Sequence, residues 1–274
     1  MNKNSILATC LLLFVVASVS GCTGRHLETW HSARLSSEFD ARKVVEVRTF
    51  EDYVALEDRL FTELVEEVYD EVETGPEFEL VRYSAGSAAD PRSREPDYNR
   101  TFELRVDEPL GGVLLLHGMS DSPYSLHEIG ETLHEQGYWV IGLRLPGHGT
   151  APSGIKDVRW QDMAAATRLA MEHLGEKLDG QPLHIFGYSN GAALALNYTL
   201  DAMEDAGQPL PSSLVLVSPA IGLTRFAALA GAKCCKARFV SRGVRPPEGR
   251  RPDFGHRVDR QEPNQQRRHR DDPG

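Results

Sequence analysis

From residue 100 onward, short apolar runs take turns with longer stretches in which apolar residues recur at three- and four-residue steps. "TFELRV" (101–106) alternates apolar and polar residues and predicts a strand. "GGVLLLHG" (111–118), "YWVIGLRL" (138–145), "LHIF" (183–186) and "SLVLVSP" (213–219) are largely apolar runs of the length expected for buried parallel strands. Between them, 123–136, 160–178 and 190–204 carry helical periodicity, with Met163, Ala166, Ala170 and Leu174 on one side of the second. The alternation predicts a mostly parallel sheet covered by helices on both faces. Upstream, "FEDYVALEDRLFTELVEEVYDEV" (50–72) sets Tyr53, Leu56, Leu60, Leu64, Val65 and Val68 on one face of a packing helix and predicts a solvated acidic back. "PRSREP" (91–96) reads as a loop.

The two ends of the chain break this rhythm. "MNKNSILATCLLLFVVASVSGC" has one Lys, an apolar stretch from Ile6 to Val19, and small residues before Cys22. The stretch is short for a bilayer span, and its layout is that of an export signal. Val19-Ser20-Gly21-Cys22 resembles a bacterial lipobox. That resemblance implies cleavage after residue 21, a diacylglycerol on the Cys22 thiol, and anchoring to an envelope membrane. Thr23 follows where an Asp would favour inner-membrane retention, so the expected place is the outer membrane, facing the periplasm. Residues 22–99 are then expected to form a tether and a helical extension.

Charge separates the other end. Residues 232–274 hold 12 Lys+Arg against 6 Asp+Glu, whereas 1–231 hold 18 against 34 in a chain of net charge −10. A body this acidic excludes a nucleic-acid surface as its main function. The remaining cysteines, Cys10 and the neighbours Cys234 and Cys235, form neither a zinc spacing nor a disulfide framework. No metal or cofactor is expected, and the oligomeric state is not legible.

Chemistry enters at "FGYSNGAA" (186–193). Gly187-Tyr188-Ser189-Asn190-Gly191 joins a predicted strand to a predicted helix, which is where a nucleophile elbow places its serine. Gly187 and Gly191 relieve crowding in the tight turn. Ser189 would stand at a helix N-terminus, where N–H groups favour developing negative charge. "LLLHGMSDSPYS" (114–125) ends another strand in His-Gly, so the N–H groups of Met119 and Asn190 are the expected oxyanion donors. His117 and His148 read as structural rather than as bases.

"LHGMSDSP", "LRLPGHGTAPSG" and "GYSNG", in this order and spacing, resemble the α/β-hydrolase superfamily, in particular bacterial carboxylesterases and monoacylglycerol-lipase-like, serine-aminopeptidase-type hydrolases. The resemblance covers about 100–222. It implies a three-layer α/β-hydrolase sandwich with a mostly parallel sheet, an ester or acylglycerol substrate, an acyl-Ser intermediate and no metal. The alternative is a non-catalytic envelope lipoprotein that binds a partner or lipid.

Serine needs a histidine base oriented by an acid, and in this fold both follow the serine in the chain. The text after "SLVLVSPAIGLTRFAALA" does not supply the expected strands. Residues 232–274 contain ten Arg and five Pro but no Leu, Ile, Met, Tyr or Trp, a composition that does not build a core. Three readings compete: a basic binding tail, a rebuilt triad (Asp253 with His256, or Asp259 with His269), and out-of-frame translation from about residue 231. Composition favours the last. The expectation is a partial hydrolase domain over 100–231, a disordered tail over 232–274, C-terminal strands missing, marginal folding and crippled turnover.

Overall fold

The computed structural model describes residues 27–43 and 47–222. The leader, Cys22 and everything from 223 onward, including the Arg/Pro-rich segment, lie outside the described residues. Five strands form one sheet: β1 (Phe102–Leu104), β2 (Gly111–Leu116), β3 (Tyr138–Leu143), β4 (Leu183–Tyr188) and β5 (Ser213–Val217). Their order is β1-β3-β2-β4-β5, with β1 antiparallel to β3 and every other pair parallel. The helices are α1 (Phe50–Leu64), α2 (His127–Glu135), α3 (Trp160–Lys177) and α4 (Asn190–Glu204).

The pleat divides the apolar runs between two cores. Leu114, Leu116, Ile141, Leu143 and Ile185 face α1, α3 and α4, where Tyr53, Met163, Ala166, Ala170, Leu174, Leu194 and Ala195 bury against them. Val113, Leu115 and Val140 face the other way, packing with Phe102, Leu126 and the half-buried Ile129 and Leu133 of α2. The small residues of α3 and α4 let both helices lie close to the sheet. At the β5 end of that second face the covering stops among the described residues: Val215 and Val217 are 49% and 38% exposed.

The helix expected over 50–72 is α-helical only to Leu64. A π-turn follows over Val65–Tyr69, closed by Asp70 N–H donating to Val65 O. The wider turn swings Val68 and Tyr69 together into a second, smaller cluster with Leu64, Tyr83 and Ala151. At its start α1 carries a capping box, Thr49 Oγ1 accepting from Asp52 N–H and Asp52 accepting in return from Thr49 N–H.

The acidic back expected for this helix has one exception. Glu57 is 2% exposed, because it lies one turn from Tyr53 and from Leu60 on the buried stripe. It meets Arg144, 1% exposed, whose Nε lies 3.2 Å from Glu57 Oε2 and whose Nη2 lies 3.0 Å from Glu38 Oε1. Burial works against the guanidinium charge, but Glu38, Tyr53 and Glu57 outweigh it and raise the Arg144 pKa well above its ordinary value. Thr101 closes the network. Its N–H and hydroxyl donate to Glu57, and its oxygen accepts from Arg144 N–H. Ahead of α1, Phe39 and Val47 are buried in the main core.

Candidate active site

The carboxyl ends of β2, β3 and β4 each run into a loop that carries one of the sequence motifs. Ser189 follows β4 with φ 52° and ψ −108° and is the N-cap of α4. This backbone region is sparsely populated for a residue with a Cβ and costs about 1–3 kcal/mol. Its neighbours explain how the turn stays closed. Ser189 N–H donates to Val217 O at 2.8 Å, and Ser189 O accepts from Ala220 N–H at 3.1 Å, so the segment after β5 grips the elbow on both sides.

Both flanking glycines are forced by close approach. A Cβ on Gly187 would lie 2.6 Å from Ala192 Cα, and one on Gly191 would lie 2.1 Å from Leu116 O. The second contact brings the start of α4 against the end of β2, where the His-Gly loop begins. A Cβ on Gly118 would be 3.5 Å from Ser189 Cβ, so that loop passes directly beside the serine. Among the described residues, neither Met119 N–H nor Asn190 N–H donates to any group, as an oxyanion site requires. Asn190 uses its side chain elsewhere, its Nδ2 donating to Met163 Sδ at 3.5 Å.

His117 is completely buried. Its Nδ1 hydrogen bonds with Gly118 O at 2.9 Å, and its Nε2 accepts from Leu145 N–H at 3.1 Å. Since a carbonyl can only accept and an amide N–H only donate, the ring is the neutral Nδ1–H tautomer. Burial, with His148 adding to it, lowers its pKa to about 3. With both nitrogens engaged it has no lone pair for Ser189. His148 is 2% exposed, its Nδ1 donating to Pro146 O at 2.9 Å, and burial lowers its pKa too. Among the described residues no side chain hydrogen bonds to Ser189 Oγ, and no group of His, Cys, Asp and Glu forms a metal-binding cluster.

A cleft of about 960 Å³ opens beside the His-Gly loop, lined among others by Tyr98, Asn99, Ser120, Asp121, His148 and Lys156. Ser189 and Met119 do not line it. Sequence reading missed three contributors: the gripping backbone of Val217 and Ala220, the buried Arg144 that also donates to His148 O at 3.1 Å, and Asn99 between the two loops. Only Arg144 left a signal, a charged residue inside the apolar run 138–145.

A serine at a strand-to-helix elbow of a mostly parallel, helix-covered sheet, beside a His-Gly loop, makes this chain an α/β-hydrolase. More narrowly, it belongs to the family described as serine aminopeptidase, S33, whose model matches residues 107–273. That match runs on through the Arg/Pro-rich residues. A thermostable monoacylglycerol lipase of Bacillus sp. (strain H-257) is 30% identical over 110 residues, 40% of this chain and 43% of that protein. The chain thus spans less than half the length of this relative. Among solved structures, one from the metagenome-derived lipolytic enzymes LipS and LipT is 27% identical with TM-score 0.42, covering 49% of this chain and 51% of that one. Paleococcus ferrophilus monoacylglycerol lipase is 23% identical with TM-score 0.38, covering 48% and 50%.

Proposed function

We propose that the protein is a serine hydrolase that cleaves carboxylic esters, monoacylglycerols among them, through an acyl-Ser189 intermediate. Ser189 Oγ attacks the ester carbonyl carbon. As the new C–O bond forms, the carbonyl π electrons move onto oxygen, which accepts from the Met119 and Asn190 N–H groups. Hydroxide takes the Ser189 proton as water, and collapse of the intermediate breaks the bond to the alcohol oxygen, which takes a proton from water as it leaves. Water repeats the attack on the acyl-serine and releases the acid. The observation that carries this reading is the left-handed backbone of Ser189 at the start of α4, beside two amides that are unengaged among the described residues. The acylglycerol substrate class rests on the similarity to the Bacillus lipase.

The proposal includes a slow enzyme. It rests on the composition of residues 232–274, which offers no apolar run to build a strand that would hold a base; turnover at neutral pH would then fall to what oxyanion donors and binding supply without a full triad, roughly 10³–10⁴ over water. Hydroxide then takes the base's place, and the rate rises about tenfold per pH unit. We also propose that lipidation of Cys22 holds the protein at the cell envelope, near amphiphilic substrates; palmitate labelling lost in Cys22→Ser is the check.

The test is hydrolysis of 4-nitrophenyl butyrate and a monoacylglycerol from pH 6 to 9, by the protein and by Ser189→Ala. The expected profile rises without a plateau and vanishes in the variant. A profile with an inflection near the histidine range, at ordinary enzyme rates, would show a histidine acting as base and overturn the slow-enzyme part. Equal rates in Ser189→Ala would overturn the whole reading.

A further inference from the structure

We propose that Asn99, which precedes the residues matched by the family model, is a positioning residue for the loop that carries the Met119 amide; the inference rests on the reaction proposed above. The loop runs from the end of β2 to a 3-10 turn over Pro123–Leu126. One end is fixed through His117, which accepts from Leu145 N–H. The other is fixed through Ser122, whose Oγ donates to Asn99 Oδ1 at 2.9 Å. Between these two points lie Met119, exposed and with its N–H unengaged among the described residues, and Ser120 at a left-handed φ of 61°.

Asn99 is built to hold its end rigidly. It is 5% exposed, and Ser122 is 8% exposed. Its Nδ2 and backbone N–H both donate to Asp97 Oδ1, each at 3.0 Å. A carboxylate can only accept, so the carboxamide is oriented with Oδ1 toward Ser122. Arg82 Nη2 donates to the same oxygen at 3.1 Å. On the far side, a Cβ at Gly149 would fall 2.3 Å from Asn99 O, so Asn99 is wedged between the His-Gly loop and the Pro-Gly-His-Gly loop. An oxyanion donor acts only if it is held within about 0.5 Å of its productive place. Without the Ser122–Asn99 bond, Ser120 relaxes from its strained conformation and carries the Met119 amide with it.

The experiment compares Asn99→Ala, Ser122→Ala, the double variant and Ser122→Thr with the unmodified chain. Ser189-dependent hydrolysis of 4-nitrophenyl butyrate is measured at pH 9, the Ser189→Ala rate being subtracted. Hydrogen exchange is followed by mass spectrometry in the peptide spanning Met119 and in peptides of β3 and β4. The expected result is a saturating rate about tenfold lower in either alanine variant, with half-saturation unchanged. The double variant should be no worse than the singles, and Ser122→Thr should keep the rate. Exchange around Met119 should quicken about tenfold while β3 and β4 stay protected.

An unchanged saturating rate and unchanged exchange, with Ser189→Ala still inactive, would overturn the role of Asn99 and leave the hydrolase reading standing. Loss of protection in β3 and β4 would also overturn it, by showing a general structural role. Should Ser189→Ala match the unmodified rate, the hydrolase reading falls. The exchange data alone then decide the clamp: quickening confined to the Met119 peptide supports it, and anything else overturns it.

Discussion

The imidazole of His117 accepts a hydrogen bond from the backbone of Leu145, 3.1 Å away, and so ties the loop after β2 to the loop after β3. Only the neutral ring can do this, and burial lowers its pKa to about 3. In the unfolded chain a histidine titrates near 6.5. Between those values the unfolded state binds the extra proton, so stability is full above about pH 6.5 and falls as pH drops toward 3. His148, also lowered by burial, acts with the same sign. Urea denaturation should show a midpoint that declines from pH 7 to pH 5. His117→Gln, which cannot protonate, should flatten part of that slope while lowering stability at pH 7.

Arg144 and Glu57 make a separate prediction. Removing one member of a buried ion pair leaves the other charge uncompensated, which typically costs about 3–5 kcal/mol. Glu57→Gln should lie toward the lower end, because Glu38 still pairs with Arg144 at 3.0 Å and the amide can still accept from Thr101. Arg144→Leu strands two carboxylates and should be worse. Chemical denaturation measures both. A change below about 0.5 kcal/mol in either would mean the network is wetter than the burial of these side chains indicates.

Ser189 carries strain that a glycine would not. Ser189→Gly should stabilise the fold by up to about 1 kcal/mol, while Ser189→Ala should not, since alanine keeps the Cβ at φ 52°. Gly191→Ala should do the opposite, because its Cβ would collide with Leu116 O at 2.1 Å. Either the start of α4 moves or the chain fails to fold. Thermal unfolding of the three variants checks the order.

The alternating apolar runs made the sheet and its helices legible, because a residue's burial face follows directly from its position in a two- or 3.6-residue period. Met163, Ala166, Ala170 and Leu174 are all buried as that rule requires. The rule also misplaced Glu57, since periodicity assigns a face from the majority and cannot see that Arg144 waits opposite. The π-turn at Val65–Tyr69 was invisible for a similar reason: one extra residue per turn changes which side chains face inward without changing their type. At the site, G-x-S-x-G in its strand-to-helix context marked the elbow, because the two glycines answer to local crowding. Asn99 gave no such signal. Its role comes from contacts with Ser122 and Gly149, 23 residues away for the first, and only folding brings them together.

The most direct measurement is peptide mapping by mass spectrometry after the protein is held with excess 4-nitrophenyl acetate at pH 9. On the slow-enzyme proposal, the activated 4-nitrophenoxide leaving group lets acylation outpace deacylation, and the acyl-enzyme should accumulate. The account predicts one dominant acetyl group, on Ser189, absent in Ser189→Ala. Acetyl groups scattered over lysines and surface serines, with Ser189 unmodified, would contradict it.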